Sequence, residues 1–320
     1  MKAIVRRRYG SPEVIEFAEV AKPAPEANEV LIKLCAASVN ALDLFLLKGW
    51  PWSKAIPGLR TPKQEVLGCD IAGRVEAVGR NVTRFQAGDE VFGATGFEGK
   101  GFAEYVCAIE EKLAAKPANV SFEEAAAVPI AASTALQGLR EKGRVQPGHK
   151  VLVEGASGGV GTFAVQIAKV FGAEVTAVCS KRNLETARAI GADHVVDYAQ
   201  EDFARGGRRY DVILAANAHR SIFDCRRALT PDGIYVAAGG SALRMIQGLS
   251  LGPLLSMIGR KKMGAFRATI NHKDLEFLGE LLKTGKVLPV IDRRYRLSET
   301  AEALRYLGEG HARGKIIITV

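Results

Sequence analysis

The sequence predicts an α/β protein in which a doubly wound parallel sheet accompanies a β-rich, barrel-like domain. Three observations carry this reading. Lys150 to Ser180, KVLVEGASGGVGTFAVQIAKVFGAEVTAVCS, reads as strand, glycine turn, helix, strand. Beyond it, apolar strands and helical stretches alternate, the pattern of a parallel sheet covered by helices. Ahead of it, short strands punctuated by glycine dominate, the pattern of a compact and largely antiparallel domain.

In the β-rich part, Lys2 to Arg8 and Glu29 to Ser38 read as strands, with Pro23 and Pro25 breaking the chain between them. Val66 to Val78, Asp89 to Phe92 and Phe102 to Ala108 continue the pattern, and Gly68, Gly73, Gly79, Gly88 and Gly93 mark its bends. Near Ser121 the texture changes. Ser121-Phe-Glu-Glu places a hydroxyl N-cap ahead of acids in a first helical turn, and Ala125 to Leu139 is Ala-rich and helical.

At the centre, Val151 to Val153 is a short apolar run suited to a strand buried on both faces. A turn follows through Gly155, Ala156, Ser157, Gly158, Gly159 and Gly161. Val160, Ala164, Ile167, Ala168 and Phe171 then recur at helical spacing, and Gly172 stands where a helix stops. The strict spacing appears only as A-x-G-x-x-G through Ala156, Gly158 and Gly161, which alone is shared with ordinary turns. Set between a buried strand and an amphipathic helix, it points to a dinucleotide site, with the pyrophosphate on Ser157, Gly158, Gly159, Val160 and Gly161.

Further on, Asn183 caps a helix through Ile190, and Val195–Val196, Val212 to Ala215 and Ile234 to Ala238 are strands. Ser221 to Leu229 is a helix closed by a Pro231-Asp232-Gly233 turn. From Phe266 the chain holds a helix (Lys273 to Thr284), a strand-like stretch, a second helix (Ser298 to Leu307) and a last strand, Lys315 to Val320. This tail is expected to rejoin the first domain, giving three segments: 1–125, 126–265 and 266–320.

The chain has 320 residues, 48% hydrophobic and 25% charged, an ordinary globular composition long enough for two domains. Its formal charge of +9 is scattered over Arg6 to Arg8, Lys181–Arg182, Arg208–Arg209, Arg260 to Lys262 and Arg293–Arg294. No basic helix carries interleaved aromatics, so a nucleic-acid face is not expected. Five widely spaced cysteines with no C-x-x-C pair fit reduced thiols rather than a disulfide framework. Arginines stand where a signal peptide needs its apolar core, and the run Gly248 to Gly259 is too short to span a bilayer. The expectation is a cytoplasmic protein with no membrane insertion.

Several segments in one order, VLGCDIAGRVEAVG (Val66 to Gly79), FQAGDEVFG (Phe85 to Gly93), AAVPIAASTALQGL (Ala126 to Leu139), EGASGGVGTFAVQIAK (Glu154 to Lys169), GADHVVDY (Gly191 to Tyr198) and GKIIITV (Gly314 to Val320), resemble the medium-chain dehydrogenase/reductase superfamily. The nearest resemblance is to its zinc-independent quinone oxidoreductase (zeta-crystallin-like) branch, and it covers essentially the whole chain. It implies a GroES-like catalytic domain interrupted by a Rossmann domain, an active site in the cleft between them, and a homodimer often formed by edge pairing of the cofactor-domain sheets. Zinc-dependent relatives carry an early cysteine ligand and a Gly-His-Glu motif. The matching positions here are Asn40 and Gly68-Cys69-Asp70, and the structural-zinc cysteine loop is missing, so no metal is expected.

In this fold an acid after the second strand binds the ribose 2′-OH of NAD, whereas basic and hydroxyl residues receive a 2′-phosphate. Here the sequence is Cys179-Ser180-Lys181-Arg182, which favours NADPH, and Tyr198 matches a tyrosine near the adenosine phosphate of similar reductases. A solvated basic loop is the plainer alternative. The resemblance places Asn40, Asp43 and Thr134 in catalysis, with Ser133 and Asn217 on the cofactor. For Asn40 and Asp43, a role as helix cap or local hydrogen-bond partner stands beside the catalytic one. Phe45 replaces a tyrosine of several relatives, which removes one proton donor. The implied reaction is hydride transfer from NADPH to a quinone or enone, small molecules whose conjugation spreads the developing charge onto oxygen. An alcohol or aldehyde dehydrogenase and a non-enzymatic NADPH-binding protein are the alternatives. Loops at Leu46 to Pro62 and Ser241 to Ala265 are expected to wall the acceptor pocket, with Trp50, Trp52, Leu249, Leu251, Leu254 and Leu255 forming either an apolar lid or wall there or a dimer contact.

Overall fold

A computed structural model describes residues 1–49, 62, 65–96 and 99–320. Trp50, Trp52 and most of the loop expected at Leu46 to Pro62 lie outside the described residues, as do residues 97 and 98. The chain divides into two compact units: Met1–Ile130 with Ile270–Gly285 and Ile291–Val320, and Ala131–Thr269 with Lys286–Val290. These limits fall a few residues beyond the expected 125/126 and 265/266, and Lys286–Val290 belongs to the second unit rather than to the returning tail.

The first unit opens with β1 (Lys2–Arg6) antiparallel to β2 (Ile15–Glu19). Arg6 is not part of a solvated basic run. It is buried, hydrogen-bonded to the Leu46 carbonyl, and lies over the Tyr9 ring. The long β3 (Glu29–Val39) leads into α1 (Ala41–Lys48), and β4 (Asp70–Val78), β5 (Glu90–Ala94), β6 (Tyr105–Ile109) and β7 (Leu113–Ala115) follow. The helix expected from Ala125 to Leu139 is broken into α2 (Phe122–Ala126) and α3 (Pro129–Gln137), then a π-type turn at Gly138–Lys142. Pro129 explains the break, because it starts a helix well and cannot continue one. The Ser121 hydroxyl accepts from the Glu124 N–H and the Glu124 carboxylate from the Ser121 N–H, the expected capping box.

The second unit contains β8 (Lys150–Glu154), α4 (Gly159–Val170), β9 (Glu174–Cys179), α5 (Leu184–Ala189), β10 (His194–Asp197), β11 (Tyr210–Ala215), α6 (Ile222–Ala228), β12 (Leu229–Ala237), α7 (Ala242–Ser256) and β13 (Lys262–Ala265). Its six strands are all parallel, in the order β10-β9-β8-β11-β12-β13. Strand order reverses between β8 and β11, so the loops after these two strands part and leave the crevice where such sheets bind ligands.

Two expectations fail here. Pro231-Asp232-Gly233 does not end α6. It is taken into β12 as an irregularity, the register jumping from Tyr210↔Leu229 to Val212↔Ile234. Ser241 to Ala265 is not a loop but α7 and an edge strand. A Cβ on Gly248 would come 2.9 Å from the Ala265 Cβ, and one on Gly252 would come 2.7 Å from the Met263 carbonyl oxygen. These two glycines let α7 lie close on β13.

The chain returns to the first unit with α8 (His272–Lys283), β14 (Ile291–Arg296), α9 (Thr300–Gly308) and β15 (Lys315–Thr319). Its main sheet runs β14-β15-β3-β4-β5-β7, with β6 also on β3. One half of β3 pairs with β6 through Glu29–Lys33, the other with β15 through Ala36–Val39. Only the β14–β15 pair is parallel. Val30, Ile32, Leu34, Ile71, Val75, Val91, Val106 and Leu113 pack as one core, and Val39, Leu47, Leu67, Phe102, Leu304, Ile316 and Ile318 as another.

Candidate active site

In the second unit, β8 ends at Glu154 and the chain turns through Gly155 at φ +78°, a left-handed conformation that favours glycine. A Cβ there would also meet the Asn217 Cβ at 2.7 Å. Gly161 is required as strictly, since its Cβ would fall 2.1 Å from the Gly155 carbonyl oxygen. Gly158 is different. It is the N-cap of α4 at φ −83°, and a Cβ on it would find no protein atom nearer than 3.6 Å. The protein's own packing does not need glycine at 158, and the missing side chain leaves room for a phosphate to approach the backbone there.

The first N–H groups of any helix lack an acceptor within it, and the first turn of α4 holds no acidic side chain. Ser157, Gly158, Gly159 and Val160 are partly exposed, so this positive helix end is open to an anion. The residues present fit a dinucleotide pyrophosphate.

Beyond β9, Lys181–Asn183 form a short 3₁₀ turn with Ser180 at its N-cap, and Lys181 and Arg182 are exposed. Asn183 does not cap α5 with its side chain. Its Nδ2 donates to the Ser180 hydroxyl at 3.1 Å, which leaves the Ser180 O–H to donate elsewhere. Tyr198 follows β10 and is 58% exposed. Asn217 is exposed on the loop after β11, its Nδ2 3.2 Å from His219 Nε2. That loop is held by a residue that sequence reasoning missed. Glu154, buried at the end of β8, accepts the His219 and Arg220 N–H groups on Oε1, each at 3.0 Å, while its Oε2 has no partner. Burial raises the Glu154 carboxyl above its ordinary value, and the two N–H groups pull it back. Ser133 and Thr134 are buried on α3, and the Ser133 hydroxyl has no hydrogen-bond partner.

In the first unit, Asn40 and Asp43 open α1 and belong to a buried polar cluster. Asp43 Oδ2 accepts the Asn40 N–H at 2.7 Å. The Asn40 amide faces inward, Nδ2 donating to Asp70 Oδ2 at 2.9 Å and Oδ1 accepting from Lys315 Nζ at 2.7 Å. Asp70 Oδ2 also accepts the Ser38 hydroxyl at 2.8 Å and stands 3.4 Å from Lys315 Nζ, while its Oδ1 accepts the Ile130 N–H at 2.9 Å. Asp43 is wholly buried. The Cys69 thiol lies against its carboxylate, but Oδ1 makes no hydrogen bond of sound geometry. Burial drives the Asp43 carboxyl up to about 7, the Cys69 and Asn40 contacts only partly offsetting it. Ser38 and Lys315 carry no sequence signal of this role: each reads as an ordinary strand residue.

Comparison with known proteins agrees with this architecture. A family model for the alcohol dehydrogenase GroES-like domain matches residues 26–118, and one for a zinc-binding dehydrogenase matches residues 190–318. The chain is 34% identical to a chloroplast envelope quinone oxidoreductase homolog of Arabidopsis thaliana, over 99% of this chain and 98% of that protein. It is 35% identical to a 2-methylene-furan-3-one reductase of Solanum lycopersicum, over 99% of this chain and 79% of that protein. Among solved structures, the Escherichia coli quinone oxidoreductase complexed with NADPH superposes with a TM-score of 0.84 at 25% identity, covering 100% of both chains.

A zinc ion, which the second family description implies, needs three protein ligands with matched geometry. Among the described residues no group of three or more His, Cys, Asp or Glu could hold a metal ion. Cys69 is a buried thiol pushed well up by burial and by Asp43 and Asp70, whereas the metal ligand is the thiolate. Asn40 and Asp70 already share an ammonium. These residues do not fit zinc.

Proposed function

We propose that this chain, which belongs to the medium-chain dehydrogenase/reductase superfamily and is an oxidoreductase, uses NADPH to reduce quinones or other α,β-unsaturated carbonyl compounds without a metal. The observation that carries the reading is the donor set around Asn40, Cys69 and Asp70, which offers no Lewis acid. A simple ketone is a poorer acceptor without one; a conjugated acceptor disperses the incoming charge over its own π-system. The names of the Arabidopsis and tomato relatives agree with such acceptors.

When bound, NADPH supplies the hydride. Ser157 and Gly158 to Gly161 hold the pyrophosphate at the start of α4, and Ser180, Lys181 and Arg182 receive the 2′-phosphate, with Tyr198 beside the adenosine. The loop carrying Asn217, set by Glu154, and the hydroxyls of Ser133 and Thr134 serve the nicotinamide end; the unpartnered Ser133 hydroxyl is a buried donor held for that purpose. Asn40, whose amide is turned inward to Asp70 and Lys315, acts as a positioning residue at the start of α1, and Asp43 acts through Asn40, whose N–H it accepts.

The working state in this reading is a homodimer. β13 leaves an open edge on the six-stranded sheet, and beside it α7 and the turn after it expose Leu243, Ile246, Leu249, Leu254, Met257 and Ile258. A second copy related by a two-fold axis covers both the edge and this apolar face. Five unpaired thiols fit the reducing cytosol, and no helix among the described residues is long and apolar enough to cross a membrane. Steady-state oxidation of NADPH with a panel of quinones and enones, run beside oxidation of ethanol and propanol, tests the reaction. Turnover of the conjugated acceptors is expected; turnover of the alcohols alone would establish an alcohol dehydrogenase instead.

A further inference from the structure

We propose that the second unit carries a binding site for a small organic anion, one with a flat apolar body and a carboxylate- or phosphate-like head, in a cleft beside β10 where Arg188 and Arg208 receive the charge. The other crossovers of this sheet run through helices, α4, α5, α6 and α7 in turn. The crossover from β10 to β11, residues 198–209, has none. A parallel connection usually lays a helix on the sheet. Here only Phe203 and Ala204 enter the core, against Val178, Tyr210 and Ile213. β8, β9 and β11 are almost wholly buried, while His194, Val195 and Val196 of β10 stay half-buried. The uncovered strand borders a cleft of about 680 Å³, within the range of small-molecule sites.

Val195, Val196, Phe203 and Tyr210 give the cleft an apolar wall, and charged side chains rim it. Its carboxylates are Asp193, Glu201 and Asp202. Asp193 is occupied: its two oxygens take Lys169 Nζ at 2.9 and 2.8 Å, and Oδ2 also accepts the Val175 N–H at 2.7 Å. Asp202 Oδ1 accepts the Ala204 N–H at 3.0 Å, and Oδ2 stands 3.4 Å from Arg220 and 3.7 Å from Arg205. Glu201 is exposed, and His194 is matched by Glu174 at 2.9 Å. Against these three carboxylates stand Arg188, Arg205 and Arg208 of the cleft with the counter-ions Lys169 and Arg220, a surplus of two positive charges. Arg188 lies in the last turn of α5 and Arg208 on the crossover; among the described residues neither forms an ion pair with a carboxylate. A guanidinium is suited to a planar oxyanion head.

This is not the dinucleotide crevice. The glycine turn, Ser180, Tyr198 and Asn217 follow the C-terminal ends of β8, β9, β10 and β11, whereas Asp193, His194 and Tyr210 mark the opposite ends of β10 and β11. The length of β10 alone separates the two, roughly 13 Å at about 3.3 Å per residue. The inference goes beyond the reaction proposed above and does not rest on it.

The probe is anilinonaphthalene sulfonate, an aromatic anion whose fluorescence rises on leaving water, titrated with NADP⁺ in excess to fill the crevice. One saturable site is expected. Arg188→Gln and Arg208→Gln should each weaken it by about ten- to a hundredfold, with NADP⁺ affinity and Tm as in the wild type. Both arginines are exposed, so these variants keep the fold. Naphthalene sulfonate should displace the probe, and inorganic phosphate, which has no apolar body, should not. No saturable site beside NADP⁺, or undiminished affinity in the double variant, overturns the proposal. So does displacement by inorganic phosphate as effective as that by naphthalene sulfonate, or a loss of NADP⁺ affinity in step with that of the probe. Acceptor turnover is read at no point, so failure here leaves the reductase reading standing, and the reverse.

Discussion

Glu154 Oε1 accepts the Arg220 N–H at 3.0 Å and holds the neighbouring His219 N–H at the same distance. One buried oxygen therefore sets the loop that carries Asn217 against the glycine turn. Glu154→Ala leaves both N–H groups without this acceptor and should cost about 1–3 kcal/mol of stability. Glu154→Gln retains a carbonyl oxygen and should cost less than half as much. Urea unfolding of the two variants separates them; equal losses would show that bulk, not the acceptor, matters at this position.

Gly158 and Gly161 should respond in opposite ways to the same substitution. Gly161→Ala drives a methyl into the Gly155 carbonyl oxygen and should destabilise the fold by about 1–3 kcal/mol. Gly158→Ala has room and an ordinary φ, so stability should stay within about 0.5 kcal/mol. In the proposed cofactor site its methyl would take the space left for the pyrophosphate, and dinucleotide affinity should fall by about tenfold or more. Thermal melts beside calorimetric titration read both effects, and unchanged affinity for Gly158→Ala would remove the turn from the cofactor site.

Arg182→Ala should weaken NADPH while sparing NADH, which lacks the 2′-phosphate. A charge-assisted hydrogen bond contributes about 1.5–3 kcal/mol, or roughly ten- to a hundredfold in affinity. Arg182 is exposed, so the effect should shrink as salt rises. Titration of both cofactors against both proteins checks this. Equal losses for NADH and NADPH would mean that Arg182 serves the body common to both, and a wild-type preference for NADH would reverse the cofactor assignment.

Asp43 should leave a mark on stability against pH. Its carboxyl sits at about 7 when folded, against about 3.9 in an unfolded chain, so the folded state binds this proton more tightly. Stability contributed by the protonated form is complete below about pH 4 and is lost as pH rises to about 7. Asp43→Asn, uncharged throughout and still able to accept the Asn40 N–H, should flatten that part of the profile. Urea melts at about pH 5 and about pH 8 give the comparison, the limiting slope being about 1.4 kcal/mol per pH unit for one proton. Identical profiles would mean that Asp43 is ionised in both states.

The sequence displayed its second unit more openly than its site. The turn from Gly155 to Gly161 was readable because a buried strand and an amphipathic helix flank it, and local pattern is all that such a motif requires. Helix α7 was hidden because Gly248, Gly252 and Pro253 act locally as breakers, while their effect in the fold is to admit a strand at close range. Pro231 to Gly233 misled for the converse reason: turn residues were absorbed by an irregular strand pairing. Asn40 and Asp70 stood out by resemblance, yet Lys315 in GKIIITV looked like a solvent-facing strand lysine. Only the meeting of β3, β4 and β15 makes it a buried charge, and no spacing along the chain records that meeting.

The placement of β15 also sets an order of assembly. All six strands of the second unit lie between Lys150 and Ala265, so that unit has its whole sheet once this stretch has left the ribosome. The first unit cannot finish so early, because Ala36–Val39 of β3 wait for Ile316–Thr319. Until then β3 presents bare N–H and C=O groups, the kind of edge that other chains can seize. The ammonium of Lys315 arrives with the same strand, so Asp70 meets its counter-charge at the moment the sheet closes. A nascent chain halted before β15 lacks an interior strand and the charge beneath it together, which marks it for a chaperone or a protease rather than for a slightly loosened native state.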